Sequence, residues 1–190
     1  MEIDLSAARL SRGAAAGLVA SIVMGMYAMI ASVYNDTGFF TPLYHIASSI
    51  GSPTAMMDSM KAAGSGDSTF FVGGSALLGA VIHMMVGAMA GVIFVLLVGL
   101  RPVTRMVTVL AGVVYGLMVM AVNSLIVLPI TARIFDGGDP IADMGRVAGW
   151  TTFTVEHVLY GLTLGVLVAM MLAAKPAKSA SGSSPHSARK

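Results

Sequence analysis

Residues 70–100 read FFVGGSALLGAVIHMMVGAMAGVIFVLLVGL, and this stretch decides the fold because it holds no Asp, Glu, Lys or Arg. A helix crosses the ~30 Å hydrocarbon core of a bilayer in ~20 residues, so the stretch is long enough to span a membrane once. Three further apolar runs of sufficient length cover residues 13–34, 106–132 and 147–174. The sequence therefore predicts an all-α membrane protein with four transmembrane helices, and the lipid bilayer is its first expected partner.

The composition of the whole chain agrees with this prediction and excludes an ordinary soluble domain. Of the 190 residues, 56% are hydrophobic and 11% are charged, whereas soluble domains have roughly 45–50% and about 25% respectively. The net charge of +2 is small and its positive residues are scattered, so no nucleic acid is expected as a partner. The chain has no cysteine, which excludes thiolate nucleophiles and thiolate metal sites.

The basic residues predict the orientation of the spans. Lys61, Arg133 and Arg146 lie between spans on one side, and the other eight of the eleven Lys and Arg lie on the opposite side. Those eight are Arg9, Arg12, Arg101, Arg105, Lys175, Lys178, Arg189 and Lys190. By the positive-inside rule, both termini are expected in the cytoplasm and the protein in the cytoplasmic (inner) membrane. Residues 1–174 form a single four-helix transmembrane domain in this interpretation, and residues 175–190 form a disordered cytoplasmic tail.

The two outer loops carry signals of helix starts. In the first, residues 35–69, Ser52 and Pro53 resemble an N-cap followed by a first helical position, and an apolar stretch then leads to Gly64. We expect a short interfacial helix here. In the second loop, Asp139 and Pro140 form a similar pair, which predicts that the fourth helix begins there, well before the membrane.

The second and fourth runs repeat one another without a gap. Residues 83–92 read HMMVGAMAGV and residues 157–166 read HVLYGLTLGV, and each run continues to a basic residue followed by proline. The first and third runs share a weaker Ala-Gly-x-Val pattern at residues 16–19 and 111–114. These matches predict two fused helical hairpins, residues 12–102 and 105–176, arranged as a parallel repeat with a pseudo-two-fold axis along the membrane normal.

Glycines recur every four residues after each histidine of the repeat. Positions four apart lie on one stripe of a helix, so Gly87 and Gly91, and likewise Gly161 and Gly165, each form a smooth groove. Small residues at this spacing let helix backbones approach closely in lipid. We therefore expect these four glycines to pack helices together.

The polar residues within the spans are the candidates for a site. His83 and His157 each lie about 27 Å of helix before the basic end of their span, which places them in the outer half of the membrane. Glu156 is the only acidic residue inside any of the four runs, and an intramembrane carboxylate often marks a functional site. Because adjacent residues project about 100° apart, Glu156 is not expected to face the same groove as His157.

Several interpretations of these residues remain open at this point. The leading hypothesis is a non-enzymatic protein in which His83, His157 and Glu156 form an outward-facing site for a proton, a cation or a small ligand. A structural role is the alternative, with the histidines as polar links between helices and Glu156 paired with Arg146 or a threonine. Two further hypotheses are a b-type haem electron carrier with both histidines as axial ligands, and an accessory or assembly subunit without a site. A dimer or a larger membrane complex is expected, and whether a metal binds is left open.

The histidine and glycine stripes of the second and fourth runs also resemble those of a known group of proteins. The segment 157–165, HVLYGLTLG, together with Gly-Leu-Val-Ala at residues 17–20, is similar to small four-span bacterial proteins of the YagU-like inner-membrane group, over about residues 13–174. The resemblance implies a compact bundle in the cytoplasmic membrane with no assigned reaction. The group's link to acid tolerance would favour a proton-related role, and no catalytic residue is carried over.

Overall fold

The computed structural model describes residues 6–100 and 103–173, and within these ranges the chain is helical, with no strand. Long helices form the bundle: α1 (Ala7–Tyr34), α4 (Gly73–Val98), α5 (Arg105–Val122) and α9 (Trp150–Ala173). Helix α5 continues through a π-helical turn, Asn123–Val127, into α6 (Leu128–Ile134). Four candidate spans are long and apolar enough to cross a membrane: Ala7–Tyr34, Gly73–Val98, Arg105–Ile134 and Trp150–Met171. The predicted tail 175–190 and the basic residues Arg101, Lys175, Lys178, Arg189 and Lys190 lie outside the described residues.

The long helices pack as two antiparallel pairs, α1 with α4 and α5 with α9, and α1 also contacts α9. The antiparallel sense of the first pair is evident at its ends, because the guanidinium of Arg9 near the start of α1 donates a 2.7 Å hydrogen bond to the carbonyl of Val95 near the end of α4. A cation at this position also complements the negative end of the α4 helix dipole.

The predicted glycine grooves are the contact surfaces of both pairs. A Cβ atom on Gly91 would lie 2.7 Å from the Cα of Gly17 on α1, and a Cβ on Gly165 would lie 3.0 Å from the Cα of Val109 on α5. The other two glycines are confined in the same way. A Cβ on Gly161 would collide with the carbonyl oxygen of Gly112, and a Cβ on Gly87 would collide with the hydroxyl of Ser21. Helix packing by the four glycines is thus seen directly, because no larger residue fits between these backbones.

Tyrosine hydroxyls connect the second pair of helices to the first. The hydroxyl of Tyr160 on α9 donates to the carbonyl of Gly87, and that of Tyr115 on α5 donates to the carbonyl of Ala90, each at 2.8 Å. Around them lies the main apolar cluster, formed by buried side chains of α1, α4 and α9: Ala16, Ala20, Ala90, Phe94, Val95, Tyr160, Leu164 and Val168.

Four short helices cover one end of the bundle, which we call the capped end. They are α2 (Thr41–Ala47), α3 (Thr54–Gly64), α7 (Gly138–Ala142) and α8 (Met144–Ala148). Gly79 lets α2 lie directly on α4, because a Cβ there would collide with the carbonyl of Leu43. The two loops are joined by His45 of α2, whose Nε2–H donates to the carbonyl of Pro140 at 2.7 Å.

Two helix starts differ from the sequence-based expectation. The helix predicted at Ser52 and Pro53 begins at Thr54 with Pro53 as its N-cap, while the Ser52 hydroxyl accepts the N–H of Thr54 at 3.3 Å. The prediction that Asp139 and Pro140 start the fourth long helix was wrong. They belong to α7, which ends at Ala142, and the chain turns again at Gly149, with φ at +84°, before α9 begins. A positive φ cannot be continued in a right-handed helix, so it separates α8 from α9.

Candidate functional site

A cavity of about 810 Å³ lies in the capped half of the bundle. One side of it is formed by the second half of α1, by α2 and by α4, and the other by the π turn, α6, α8 and the first turns of α9. The volume is within the range of small-molecule sites, roughly 300–1,000 Å³. The cavity brings together His83, Glu156 and His157, the three residues that the sequence singled out.

His157 lies deep in this cavity and is held in one orientation. It is 3% exposed, and its Nδ1–H donates to the carbonyl of Phe153, one turn earlier in α9, at 2.8 Å. The ring also packs on that of Phe153, with centroids 4.5 Å apart. Because a carbonyl can only accept, Nδ1 carries the proton and Nε2 of His157 is left as an acceptor.

His83 is positioned from the opposite wall by α1. Its Nε2–H donates to the carbonyl of Ser21 at 3.0 Å, which leaves Nδ1 as the acceptor. Gly25, one turn after Ser21, faces the ring, and a Cβ there would make an ordinary contact with Nε2 at 3.4 Å. Both histidines therefore contribute a hydrogen-bond link between or within helices and also a free acceptor nitrogen.

Glu156 has no partner among the residues that the structure describes, where its carboxylate makes no hydrogen bond and no ion pair. It is nevertheless 7% exposed. The alternative pairing with Arg146 does not occur, because Arg146 binds Asp143 instead, with N and O 3.0 Å apart. Although Glu156 and His157 are adjacent on α9, both line the same cavity, so the expectation that they face different surfaces was too strict.

The nitrogen and oxygen atoms of His83, His157 and Glu156 that make no hydrogen bond are open to solvent-sized space. In the described part of the chain, no fully buried side-chain nitrogen or oxygen lacks a hydrogen-bond partner. Nδ1 of His83, Nε2 of His157 and the Glu156 carboxylate have none, so each must be open to a solvent-sized probe. Since His157 and Glu156 are almost completely buried, the space that they reach is the cavity.

The same residues do not form an evident metal or haem site. Across residues 6–100 and 103–173, no group of three or more His, Asp or Glu side chains is placed to hold a metal ion. An axial bond to haem iron would have to use Nδ1 of His83, because Nε2 is bound to Ser21. The b-type haem alternative stays a prediction that this arrangement does not favour.

Two further polar residues line the site. The sequence favours an interhelical hydrogen bond for Asn123, a polar group within a span, and gives no signal for His45. Asn123 begins the π turn and lines the cavity, and its amide makes no hydrogen bond within the described ranges. A local signal existed, because Pro129 has no N–H to continue an α-helical ladder and the Ser124 hydroxyl bonds back to the Met120 carbonyl at 2.8 Å. π turns occur frequently at functional sites.

His45 is the second of these residues, and it lies in the loop wall of the cavity. It is 5% exposed. Burial lowers the pKa of His45 below its usual value, and the hydrogen bond to the Pro140 carbonyl opposes this effect. No sequence pattern marked it, because the partner carbonyl is 95 residues away.

The rim of the cavity is apolar on one side and polar on the other. Trp150, Phe135 and Val127 line the cavity and are also 43–52% exposed, so the cavity opens beside exposed apolar side chains. Asn35 and Arg146 line it near the loops.

Comparisons of the chain with protein-family models, with curated proteins and with solved structures found no match.

Proposed function

We propose that this chain is a non-enzymatic, multi-pass protein of the cytoplasmic membrane that binds a proton, a cation or a small ligand in the cavity of its capped half. The observation that carries the proposal is the unpaired carboxylate of Glu156 in the same cavity as the free nitrogens of His83 and His157. An isolated carboxylate in an apolar surrounding is costly unless a cation or a proton compensates its charge. A chain selected only for stability would gain by replacing it with an apolar residue.

The proposed orientation places the capped end outside the cell and both termini in the cytoplasm. It is supported by the distribution of Lys and Arg, since Arg9, Arg12 and Arg105 lie at the end opposite to the cavity. The cavity then faces the outer side. This arrangement suits a protein that receives its ligand from outside or from the outer leaflet.

The two helix pairs are proposed to be a parallel repeat. Gly17 packs on the carbonyl of Gly87 in the first pair, and Gly112 packs on that of Gly161 in the second. The first and third spans also end alike, with Asp36 and Asp136 at φ values of 53° and 55°. In such a repeat His83 and His157 occupy equivalent positions on either side of the axis, which would explain why both reach one cavity.

A homo-oligomer or a larger membrane complex remains part of the proposal. In the third span, Arg105–Ile134, 6% of the most apolar window is buried, against 50% in Trp150–Met171. The third span therefore offers the broadest apolar surface, which lipid or a second copy would cover. The proposed repeat and the resemblance to the YagU-like group both stay predictions, and neither is needed for the binding site.

Cysteine accessibility tests the proposed site directly, because the natural chain has no cysteine. The Glu156→Cys variant is treated in oriented membranes with the membrane-impermeant reagent 2-(trimethylammonium)ethyl methanethiosulfonate. We expect it to react when the reagent is added from outside. The Leu164→Cys variant, whose site lies on the same helix at 0% exposure, is expected to stay unreactive.

A second variant separates orientation from access. Asp139→Cys places a thiol on the exposed second loop and is expected to react from outside irrespective of the cavity. Reaction of Asp139→Cys only from the cytoplasmic side would overturn the orientation. If Asp139→Cys reacts from outside and Glu156→Cys does not, the site is closed to the outer aqueous phase, which refutes ligand entry from water and leaves entry from the outer leaflet alone.

A further inference from the structure

The polar end of the cavity consists mainly of hydrogen-bond acceptors. Nδ1 of His83, Nε2 of His157 and the carboxylate of Glu156 are all free to accept, because each imidazole uses its N–H on a backbone carbonyl. His45 follows the same rule on the loop wall, where its N–H is bound to Pro140. The Asn123 amide and hydroxyl groups such as that of Thr131 also line the cavity and can donate as well as accept. A ligand that contacts the two imidazole nitrogens must bring N–H or O–H donors.

The charges around the cavity favour a cation over an anion. Glu156 is 7% exposed, whereas the side chain of Arg146 is 65% exposed at the rim and is already paired with Asp143. Among the lining residues, Glu156 is the one acidic side chain, and it has no cationic partner in the described part of the chain, so a bound cation would compensate its charge when it ionises. An anion would meet both this charge and a set of acceptor atoms.

The walls and the size of the cavity indicate that the cation is organic. An inorganic ion needs several oxygen or nitrogen ligands to replace its water, and the described residues offer no cluster of three. The volume of about 810 Å³ is far larger than a bare ion requires. Apolar side chains such as Met24, Ile82, Val86 and Leu128 line the remaining wall, and they suit an apolar body.

Aromatic rings and the apolar rim agree with the same chemistry. Phe153 packs against His157 and lies 6.1 Å from Trp150, measured between ring centroids, and aromatic faces attract organic cations. Trp150, Phe135 and Val127 open the cavity toward lipid, so an amphiphile dissolved in the bilayer can enter sideways.

We propose that the cavity binds amphiphilic organic cations, with a protonated amine against Glu156 and an apolar body against the walls formed by α1, α4 and α6. This inference rests on the proposed function and specifies its ligand class. The amine donates an N–H to the carboxylate, and the acceptor nitrogens of His83 and His157 remain for further N–H or O–H donors of the ligand. The apolar body occupies the space between the helices and the rim.

Three probes with one apolar body and different head groups test this selectivity: 1-aminoadamantane, 1-adamantanol and adamantane-1-carboxylate. Binding is measured by equilibrium dialysis against the full chain in phosphatidylcholine nanodiscs, with empty nanodiscs to subtract partition into lipid. We expect the amine to bind at least about tenfold more tightly than the alcohol, as a buried charge-assisted hydrogen bond implies, and the carboxylate to bind most weakly.

Variants identify the group responsible for the preference. Glu156→Gln keeps the shape and removes the charge, so it should abolish the preference for the amine while the alcohol still binds. Glu156→Asp keeps the charge and should retain the preference, and it carries the test if Glu156→Gln does not fold. Asp139→Asn removes an exposed carboxylate of the second loop that does not line the cavity, and it should change nothing.

The outcomes separate this inference from the proposed function. Equal binding of the three probes, or an amine preference that survives in Glu156→Gln, would overturn the cation selectivity and leave the cavity as a binding site. Binding of none of the probes, together with a reactive Glu156→Cys variant, would overturn the organic-cation class and leave a site for a proton or a small ion. An unreactive Glu156→Cys variant with no probe bound would refute both.

Discussion

The close contact of α1 and α4 predicts that Gly91→Ala will weaken the bundle. A Cβ at position 91 would lie 2.7 Å from the Cα of Gly17 and collide with the carbonyl of Gly13. Ordinary van der Waals contact begins at 3.4 Å, so the two backbones must separate by at least 0.7 Å at Gly17 (3.4 minus 2.7) and by more at the Gly13 carbonyl. Backbone atoms cannot rotate away as a flexible side chain would, and the separation therefore spreads along the groove.

Two opposing terms set the magnitude. Alanine is favoured over glycine within a helix by about 1 kcal/mol. A gap of 0.5–1 Å loses roughly a quarter to a half of the dispersion energy of the separated atoms, and overpacking of this kind costs about 1–3 kcal/mol. The steric term is expected to win, which leaves Gly91→Ala up to about 2 kcal/mol less stable than the natural chain.

Gly74→Ala is the matched control, because Gly74 lies on the same helix and a Cβ there would have no atom within 4 Å. Only the propensity term applies to it, so it should leave the stability unchanged or raise it by up to about 1 kcal/mol. Reversible unfolding by SDS in mixed micelles, followed by circular dichroism, gives the free energy of unfolding of each variant. Equal stability of Gly91→Ala and Gly74→Ala would refute the assignment of the glycine groove as a close backbone contact.

Three further predictions concern the elements around the cavity. Burial lowers the pKa of His45, so as the pH falls the unfolded chain takes up a proton at this side chain before the folded protein does. The stability that neutral His45 provides should therefore fall as the pH decreases below about 6.5. The free energy of unfolding should decrease more between pH 7.5 and 5.0 for the natural chain than for His45→Gln, and equal decreases would contradict this prediction. Tyr160→Phe removes the buried 2.8 Å bond to α4 and should cost about 0.5–1.5 kcal/mol of unfolding free energy, whereas Tyr34→Phe, at a side chain 84% exposed, should cost nothing measurable. Gly79→Ala should displace α2 from α4 and speed the reaction of Glu156→Cys with the impermeant thiol reagent, and an unchanged rate would mean that α2 does not restrict access to the cavity.

The spans could be predicted because their cause is local. The run 13–34 ends at the same residue as α1, and the run 70–100 differs from α4 by only a few residues at each end. Hydropathy failed at the start of α1, which includes Arg9 and Arg12, because a polar turn continues a helix without being apolar. It also missed α2, whose position depends on packing against Gly79 of α4 rather than on its own sequence.

The site was predictable in part because the spans contain few polar residues. His83, His157 and Glu156 could be singled out on that ground from the sequence alone. Their neighbours were not predictable: the partner of His83 is a carbonyl of α1, 62 residues away, and Arg146, one of the alternative partners for Glu156, binds Asp143. Such pairings depend on how the helices converge, which an apolar sequence pattern specifies only weakly.

Because of the π turn at Asn123–Val127, the shape of one cavity wall depends on the exact number of residues in this part of the helix. A residue added to an α-helix rotates all that follows by about 100°, and a π turn is one way to accommodate it. Beyond this turn, Leu128 and Ala132 face α7 and α8, and Thr131 faces the cavity. Deleting a single residue here would restore a regular helix and turn these side chains to other surfaces. Among related sequences, a one-residue gap between 123 and 127 would therefore be a stronger indication of a changed cavity than several substitutions along its walls.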